Sequence, residues 1–582
     1  MSGDFRLESW LVKPSLNVIS AKSTTIRLEP KVMEVLVCLA RHAGEALSKE
    51  NLVQAVWPDT FVSDDALKRC ISELRRVFED DAREPRIIQT IPKRGYRLMV
   101  PVNGLTGDVR IDAAASLAHN SIAVLPFINM SPDPENEFFA DGITEEIINA
   151  LAQIKNLHIV ARSSAFSFKG KHMDPRVVGE QLNVRTVLEG SVRKAGDHLR
   201  ITAQLINTAN GYHMWSERYD REMKDIFAIQ DDIASSIAQR LTVTFERSGQ
   251  EFLVRAGTRN VEAYRLYLKR RYYWNKWSEE GFNKGLTYFR KAVELDPTYT
   301  LAYCGLADSY GLMVVNSFLP QSVAMPKVKK AAMRALQLHP ELAEPHVSWA
   351  IHLWFQDWQL AEAEKEWKQA LELNPNYVTA YHGYEECLTI MRRHDEAIAI
   401  VRRSLEIDPF SLILNTAFGW ALYFARRYEH AIEQLHKTVD LDANYPLTHL
   451  ILCLAHRERQ QFAEAISEGQ KAVDLTGGAP WMRTALGCAY AVAGDRDSAV
   501  QQLSLLTEYA THKYVNPYFF AQIYFALGDL DTAWPWLQNA YTERSFWLLY
   551  LNSEPGHERW REDPRVENLL RDMGIEQPPD IR

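Results

Sequence analysis

Between Val62 and Phe78 apolar residues recur at helical spacing: Leu67, Cys70, Ile71, Leu74, Val77 and Phe78 share one face, which must bury against a core. Asp65, Lys68, Arg69, Ser72 and Arg76 fall on the opposite face, with Arg75 at its edge. Ser63 suits the N-cap, and Asp64 and Asp65 put negative charge where the helix dipole favours it. After Pro85 the run RIIQTIPKRGYRLMV is apolar, breaks at Pro-Lys-Arg-Gly and turns apolar again, the pattern of a β-hairpin with Lys93 and Arg94 at its tip. Upstream, FRLESWLV, SLNVI and TTIRL alternate in short runs from Phe5 to Leu28 and predict antiparallel strands. Pro30 opens a helix with an apolar face of Val32, Val35, Leu36 and Leu39 and a stop at Gly44. Ser48 caps a short helix through Trp57.

The pattern then changes. Residues 103–120 are rich in Gly, Ala, Asn and Asp and read as a linker. SIAVLPF from Ser121 is an apolar strand, Asp141-Gly142 starts a helix through Leu151, LHIVA from Leu157 is a second strand, and Pro175 to Leu182 is helical. Val184 to Lys194 and Leu199 to Asn207 flank a Gly-Asp turn as paired strands, and an amphipathic helix spans Asp225 to Leu241. Strands alternating with helices predict an α/β domain over 121–242. Asp141, Glu145 and Glu146 are the carboxylates that catalysis would use. Asp141 as N-cap, with the two glutamates in the first turn, accounts for them without it.

The remainder is periodic. Ala363, Ala397, Ala431, Ala465, Ala499 and Ala533 are each 34 residues apart. AVELDP, ALQLHP, ALELNP and SLEIDP repeat in the same register, ending at Pro297, Pro340, Pro375 and Pro409, with an insertion near Val315 to Pro326. A small residue lets paired helices approach, and the proline ends the second helix of a pair. Eight units are expected over 261–540, then a less regular cap over 541–582. Tyr272, Tyr273, Trp274 and Trp277 read as packing of the first unit.

Composition narrows the function classes. A chain of 582 residues is too long for one core, and its 24% charged and 46% hydrophobic content is that of globular protein. Six scattered cysteines without a CxxC pair argue against a disulfide frame or a zinc site. No phosphate loop, nucleophile elbow, dinucleotide fingerprint or HExxH occurs, so no catalytic residue, metal or cofactor is expected. No run is long enough to span a bilayer, which predicts a cytoplasmic protein with no membrane partner. The net charge of -9 is uneven: Lys68 to Arg97 holds nine Lys/Arg against five Asp/Glu. A basic helix followed by a basic hairpin on an acidic body suits specific DNA binding.

The first hundred residues resemble the OmpR/PhoB-type DNA-binding domain. Ile71, Leu74, Arg75, Arg76 and Phe78 match the end of its third helix, and Gly95, Tyr96 and Arg97 match its wing. The resemblance implies a winged helix-turn-helix over 1–102 that binds double-stranded DNA. Lys68, Arg69, Ser72 and Arg76 would read bases, Arg75 and Arg97 would hold phosphates, and Lys93, Arg94 and Tyr96 would serve on the wing. The loop Pro58 to Phe61 would touch RNA polymerase, and a homodimer on DNA is left open. Nothing corresponding to a phospho-acceptor receiver precedes the first strand, so aspartyl phosphorylation is not the expected input. IAVLPF, FFADGITEEI, LEGSVRKAG and RITAQLI resemble a TolB-like N-terminal domain, which implies sensing or interaction. The 34-residue units resemble tetratricopeptide repeats, whose concave face takes a protein or peptide. The expected class is a multidomain α+β chain: winged helix, middle α/β domain, all-α tetratricopeptide superhelix. The layout resembles soluble relatives of the ToxR/CadC group of regulators and the invasion-gene activator of enteric bacteria. A scaffold without DNA readout and a cyclase-related signalling protein are the rival readings. Retained cations on helix and wing oppose the first, and no segment is left over for a cyclase domain.

Overall fold

Alternation along the first thirty residues produces four antiparallel strands: β1 (Phe5–Leu7), β2 (Trp10–Lys13), β3 (Val18–Ala21) and β4 (Thr24–Arg27). The computed structural model describes residues 5–7, 10–14, 18–21, 24–41, 46–56, 64–78, 80–81, 85–91, 95–100, 102–103, 121–133, 136–152, 154, 157–171, 173–241, 258–274 and 279–575. They fall in two compact units, Met1–Ser116 and Leu117–Arg582.

In the first unit, α1 (Pro30–Arg41) follows the strands, then β5 (Ala46–Leu47), α2 (Lys49–Val56) and α3 (Asp64–Phe78). A hairpin of β6 (Ile88–Ile91) and β7 (Gly95–Leu98) comes next, and β8 (Val102–Asn103) returns to pair with β1. The sheets run β4-β3-β2-β1-β8 and β5-β7-β6. Asn103, expected in the linker, therefore belongs to a strand, and 104–120 lie outside the described residues. The predicted face of α1 is buried throughout, with Val35, Leu36 and Leu39 fully so, and it packs on Leu67, Ile71 and Leu74 of α3. Trp10 meets Phe78 edge-on, centroids 5.8 Å apart.

The second unit opens with β9 (Ser121–Val124), which lies parallel to β11 (His158–Ile159) and to β12 (Thr186–Ala195); β10 (Ile128–Asn129) also pairs with β12. β12, β13 (His198–Asn207) and β14 (His213–Glu222) are antiparallel. β14 has no forecast because only Trp215 and Tyr219 of its ten residues are buried, among charges that hide the alternation. The helix α4 spans Glu137–Ala152, so it starts before Asp141. The capping account of Asp141 is corrected accordingly. Phe139 and Ala140 are already buried in the first turn, and Asp141 instead pairs with Lys169, its Oδ1 2.5 Å from Nζ. Glu145 is buried, 3.4 Å from Arg162 Nε. Short helices α5 (Arg162–Phe166) and α6 (Pro175–Leu182) lie between β11 and β12, and α7 (Ile226–Arg240) follows β14.

Eight helix pairs follow. They begin with Val261–Trp274 and Glu279–Leu295, include Thr300–Val315 with Gln321–Leu338 and Val378–Ile390 with His394–Ile407, and end with Pro517–Ala526 and Leu530–Thr542. The side chains of Tyr272, Tyr273 and Trp274, and all of Trp277, lie outside what is described. The six 34-spaced alanines are all fully buried, as close helix approach demands. A second 34-residue series is conformational. Trp358, Arg392, Arg426, Gln460, Gly494 and Gly528 all take positive φ in the turn within a pair. Beyond the pairs come a 3-10 segment, Phe546–Asn552, and two helices, Glu558–Arg561 and Pro564–Asp572.

The array is one coil whose ends meet. Gln321 Nε2 donates to the Phe355 and Arg544 carbonyls, and its Oε1 accepts from Phe546 N–H at 3.0 Å. Phe355 stacks on Phe546 at 4.4 Å, and Lys513 pairs with Glu279 at 2.6 Å. The middle domain joins this coil: Gln230 Nε2 donates to the Tyr264 hydroxyl at 2.6 Å, and Asp408 receives Ser163 and Ser164.

Candidate nucleic-acid interface

The interface is built on α3. Leu67, Ile71 and Leu74 are at most 1% exposed, with Cys70 and Phe78 also buried, which fixes the rotation of the helix about its axis. That rotation leaves Lys68, Arg69, Ser72 and Arg76 exposed together. Burial pushes the Cys70 thiol up, so it stays protonated and inert against the core.

Arg75 is half-buried at the stripe's edge, and its Nη2 donates to the Ile88 carbonyl and to Thr90 Oγ1, both at 2.8 Å. The cation proposed for a phosphate is thus also a strut between α3 and β6. Arg97 lies on β7, half-buried, opposite Gln89 and Ala46. Lys93 and Arg94 lie outside the described residues, as do Ser63 and the loop Pro58 to Phe61. Tyr96, expected among the DNA-contacting residues of the wing, is instead a core residue. It is 6% exposed and packs in the core, because β7 is the central strand of its sheet and this residue faces inward.

Two features escape sequence reasoning. Asp80, 7% exposed, accepts from the backbone N–H groups of Arg86 (2.7 Å), Ile87 (3.0 Å) and Ile88 (2.8 Å). An acid beside a basic helix reads as a solvated charge, and only the fold brings those N–H groups to it. Gly95 reads as a permissive turn residue, but its φ is +126°, and a Cβ there would sit 1.9 Å from the Leu47 carbonyl oxygen. The β5 backbone packs where a side chain would be.

A family model described as "Transcriptional regulatory protein, C terminal" matches residues 23–98, which contain this entire constellation. The first domain is an OmpR/PhoB-type winged helix. Beyond the winged helix, residues 118–236 match the model described as "HilA/YgeH-like transcriptional regulator, second domain", and 416–480 match a tetratricopeptide repeat. The model that covers the middle region is thus the HilA-like one, where a TolB-like domain was expected. The chain is also similar to several curated proteins. "Putative adenylate cyclase 3" of Rhizobium meliloti is 40% identical over 204 residues, 35% of this chain and 34% of that protein. "Transcriptional activator CadC" of Escherichia coli is 45% identical over 98 residues, 17% of this chain and 19% of that protein. "Transcriptional regulator HilA" of Salmonella typhimurium is 23% identical over 392 residues, 66% of this chain and 67% of that protein. The chain thus spans about a third of the cyclase relative and a fifth of CadC.

The second unit carries a groove of about 1830 Å³. First helices of successive repeats line it through residues such as His382, Glu386, Thr416 and Trp420. Its other walls come from the chain itself: Arg162 and Phe168 of the middle domain, and Trp547 and Tyr550 of the C-terminal segment. No helix among the described residues is long and apolar enough to cross a membrane.

Proposed function

We propose that this chain is a sequence-specific DNA-binding transcriptional regulator whose winged helix reads promoter DNA and whose repeat array receives a protein signal. The observation that carries the reading is the exposed stripe of Lys68, Arg69, Ser72 and Arg76, held outward by a buried opposite face. Cations and a hydroxyl at this spacing suit base edges in a major groove. Arg75 and Arg97 are assigned to phosphates, and Lys93 and Arg94 to the adjacent minor groove or its phosphates. RNA polymerase at Pro58 to Phe61, a second copy on DNA and a cytoplasmic setting complete the reading.

For the signal, the groove's 1830 Å³ exceeds the roughly 300–1,000 Å³ of small-molecule pockets, which favours a polypeptide over a metabolite. A cyclase-related reading draws on one specific observation. The 204-residue match to the cyclase relative is about twice the length of the winged helix, so it reaches into the second unit. We take that shared segment as a signalling module.

The test is titration of duplex DNA with residues 1–116 and with the full chain at several salt concentrations. Both should bind, with log K falling against log[salt] by about 0.9 per phosphate contacted. Absence of salt-dependent binding by either would end the reading. Production of cyclic nucleotide from ATP or GTP by the purified full chain would favour the second reading. Deleting the chain from Val261 onward should leave DNA binding intact and abolish regulated transcription.

A further inference from the structure

We propose that Asp80 is a positioning residue for DNA readout: without touching DNA, its carboxylate fixes the wing against the recognition helix so that both engage one duplex. The inference rests on the DNA-binding reading of the first unit. Asp80 lies two residues past the end of α3 and is held to it, its N–H donating to the Arg75 carbonyl at 2.9 Å. Both carboxylate oxygens are spent on the strand side, one on the N–H groups of Arg86 and Ile87 and the other on that of Ile88. Arg75 closes the loop from the helix, donating to the carbonyl of the same Ile88 and to Thr90 Oγ1. Ile88 thus gives its N–H to one residue and receives the other on its carbonyl. The angle between α3 and β6 is set by charge-assisted hydrogen bonds at both of its backbone groups.

Generic electrostatics makes the opposite forecast. Removing an anion from a protein that binds a polyanion should strengthen binding and steepen its salt dependence. If Asp80 positions the wing, its loss must weaken binding and flatten that dependence, because wing cations leave the phosphates. Asp80→Asn is the sharper variant. It deletes the charge, keeps one oxygen acceptor, and turns an amide N–H₂ toward a backbone donor.

The experiment titrates full-length wild type, Asp80→Asn and Thr90→Val with one duplex selected by the wild type from a library of randomised sites, over a salt series, with hydroxyl-radical footprints of each complex. Asp80→Asn should bind roughly tenfold more weakly, because the wing must then be ordered against α3 during binding. Its salt slope should fall by about 0.9 for each wing cation withdrawn. Its footprint should lose the minor-groove flank while major-groove protection persists. Thr90→Val removes one acceptor of Arg75 at an exposed strand position, so it should fold normally and move slope and footprint the same way by less. It carries the test if Asp80→Asn does not fold. Unchanged or tighter binding with an equal or steeper slope would overturn the positioning role. A wild type that does not bind DNA would remove the reading beneath the proposal, and the proposal with it, a failure distinguishable because it appears before any substitution.

Discussion

Asp408 accepts a hydrogen bond from the Ser164 backbone N–H at 3.0 Å, joining the fourth repeat to the middle domain across 244 residues of sequence. The carboxylate is fully buried and also receives both serine hydroxyls, while Phe410 N–H donates to Ser164 Oγ at 2.8 Å. Burial pushes the Asp408 carboxyl up, and these donors pull it back toward ionisation.

Replacing Asp408 with Ala should therefore destabilise the second unit by about 1–3 kcal/mol, the cost of leaving a buried N–H without an acceptor. Asp408→Asn should cost less, because one oxygen remains for Ser164 and no charge is buried. Thermal unfolding of the full chain checks both. Equal melting of Asp408→Ala and wild type would show that the contact is not part of the native interface.

A pH dependence is expected from Glu554. Burial pushes its carboxyl up to about 7, with Arg457 and Arg561 opposing and Glu458 reinforcing the shift. The folded chain keeps a proton that the unfolded chain releases from its ordinary value of 4.5, so this contribution to stability falls as pH rises through that window. His557 works in the other sense: burial holds its pKa well below the ordinary range, and its contribution is lost as pH falls below the unfolded value. Glu554→Gln should remove the loss of stability between about pH 4.5 and about pH 7, leaving the His557 limb. Melting curves across that range measure it.

The turn series offers a third test. Gln460 holds φ +60° and is exposed, and a left-handed conformation costs an L-residue roughly 1–2 kcal/mol, partly offset in glycine by chain entropy. Gln460→Gly should raise stability by up to about 1 kcal/mol, and Gln460→Val should lower it. Denaturant midpoints of the two variants should lie on opposite sides of wild type.

On the DNA side, Arg69→Ala should relax preference at one base pair by about 1–3 kcal/mol if its contact is bidentate. Arg97→Ala should weaken binding uniformly across sequences. A library of randomised sites distinguishes the two. Identical preference profiles would refute the division of labour between helix and wing.

These tests fall where sequence and fold part company. The apolar face of α3 was readable because Leu67, Ile71 and Leu74 all serve one core and nothing else. The buried alanines were readable because helix contact tolerates little else at those positions. β14 was not, since a strand with one solvated face and dense charge lacks a strong period. Nor was the left-handed turn series, because four of its six members are not glycine and the surrounding helices impose the conformation. In the interface, exposure of the stripe followed from periodicity. The Asp80 clamp and the inward turn of Tyr96 depend on pairing between distant segments, which no local pattern encodes.

The bracket made by Gln321 has a consequence for how the array loses structure. An open solenoid frays from its last repeat inward, so amide protection from hydrogen exchange fades toward both tips. Here a side chain of the second repeat holds the backbone just past the eighth, so neither of these two repeats opens without releasing the other. The coil should exchange its protons as a clasped band, with protection running level along its length and lost in a single step.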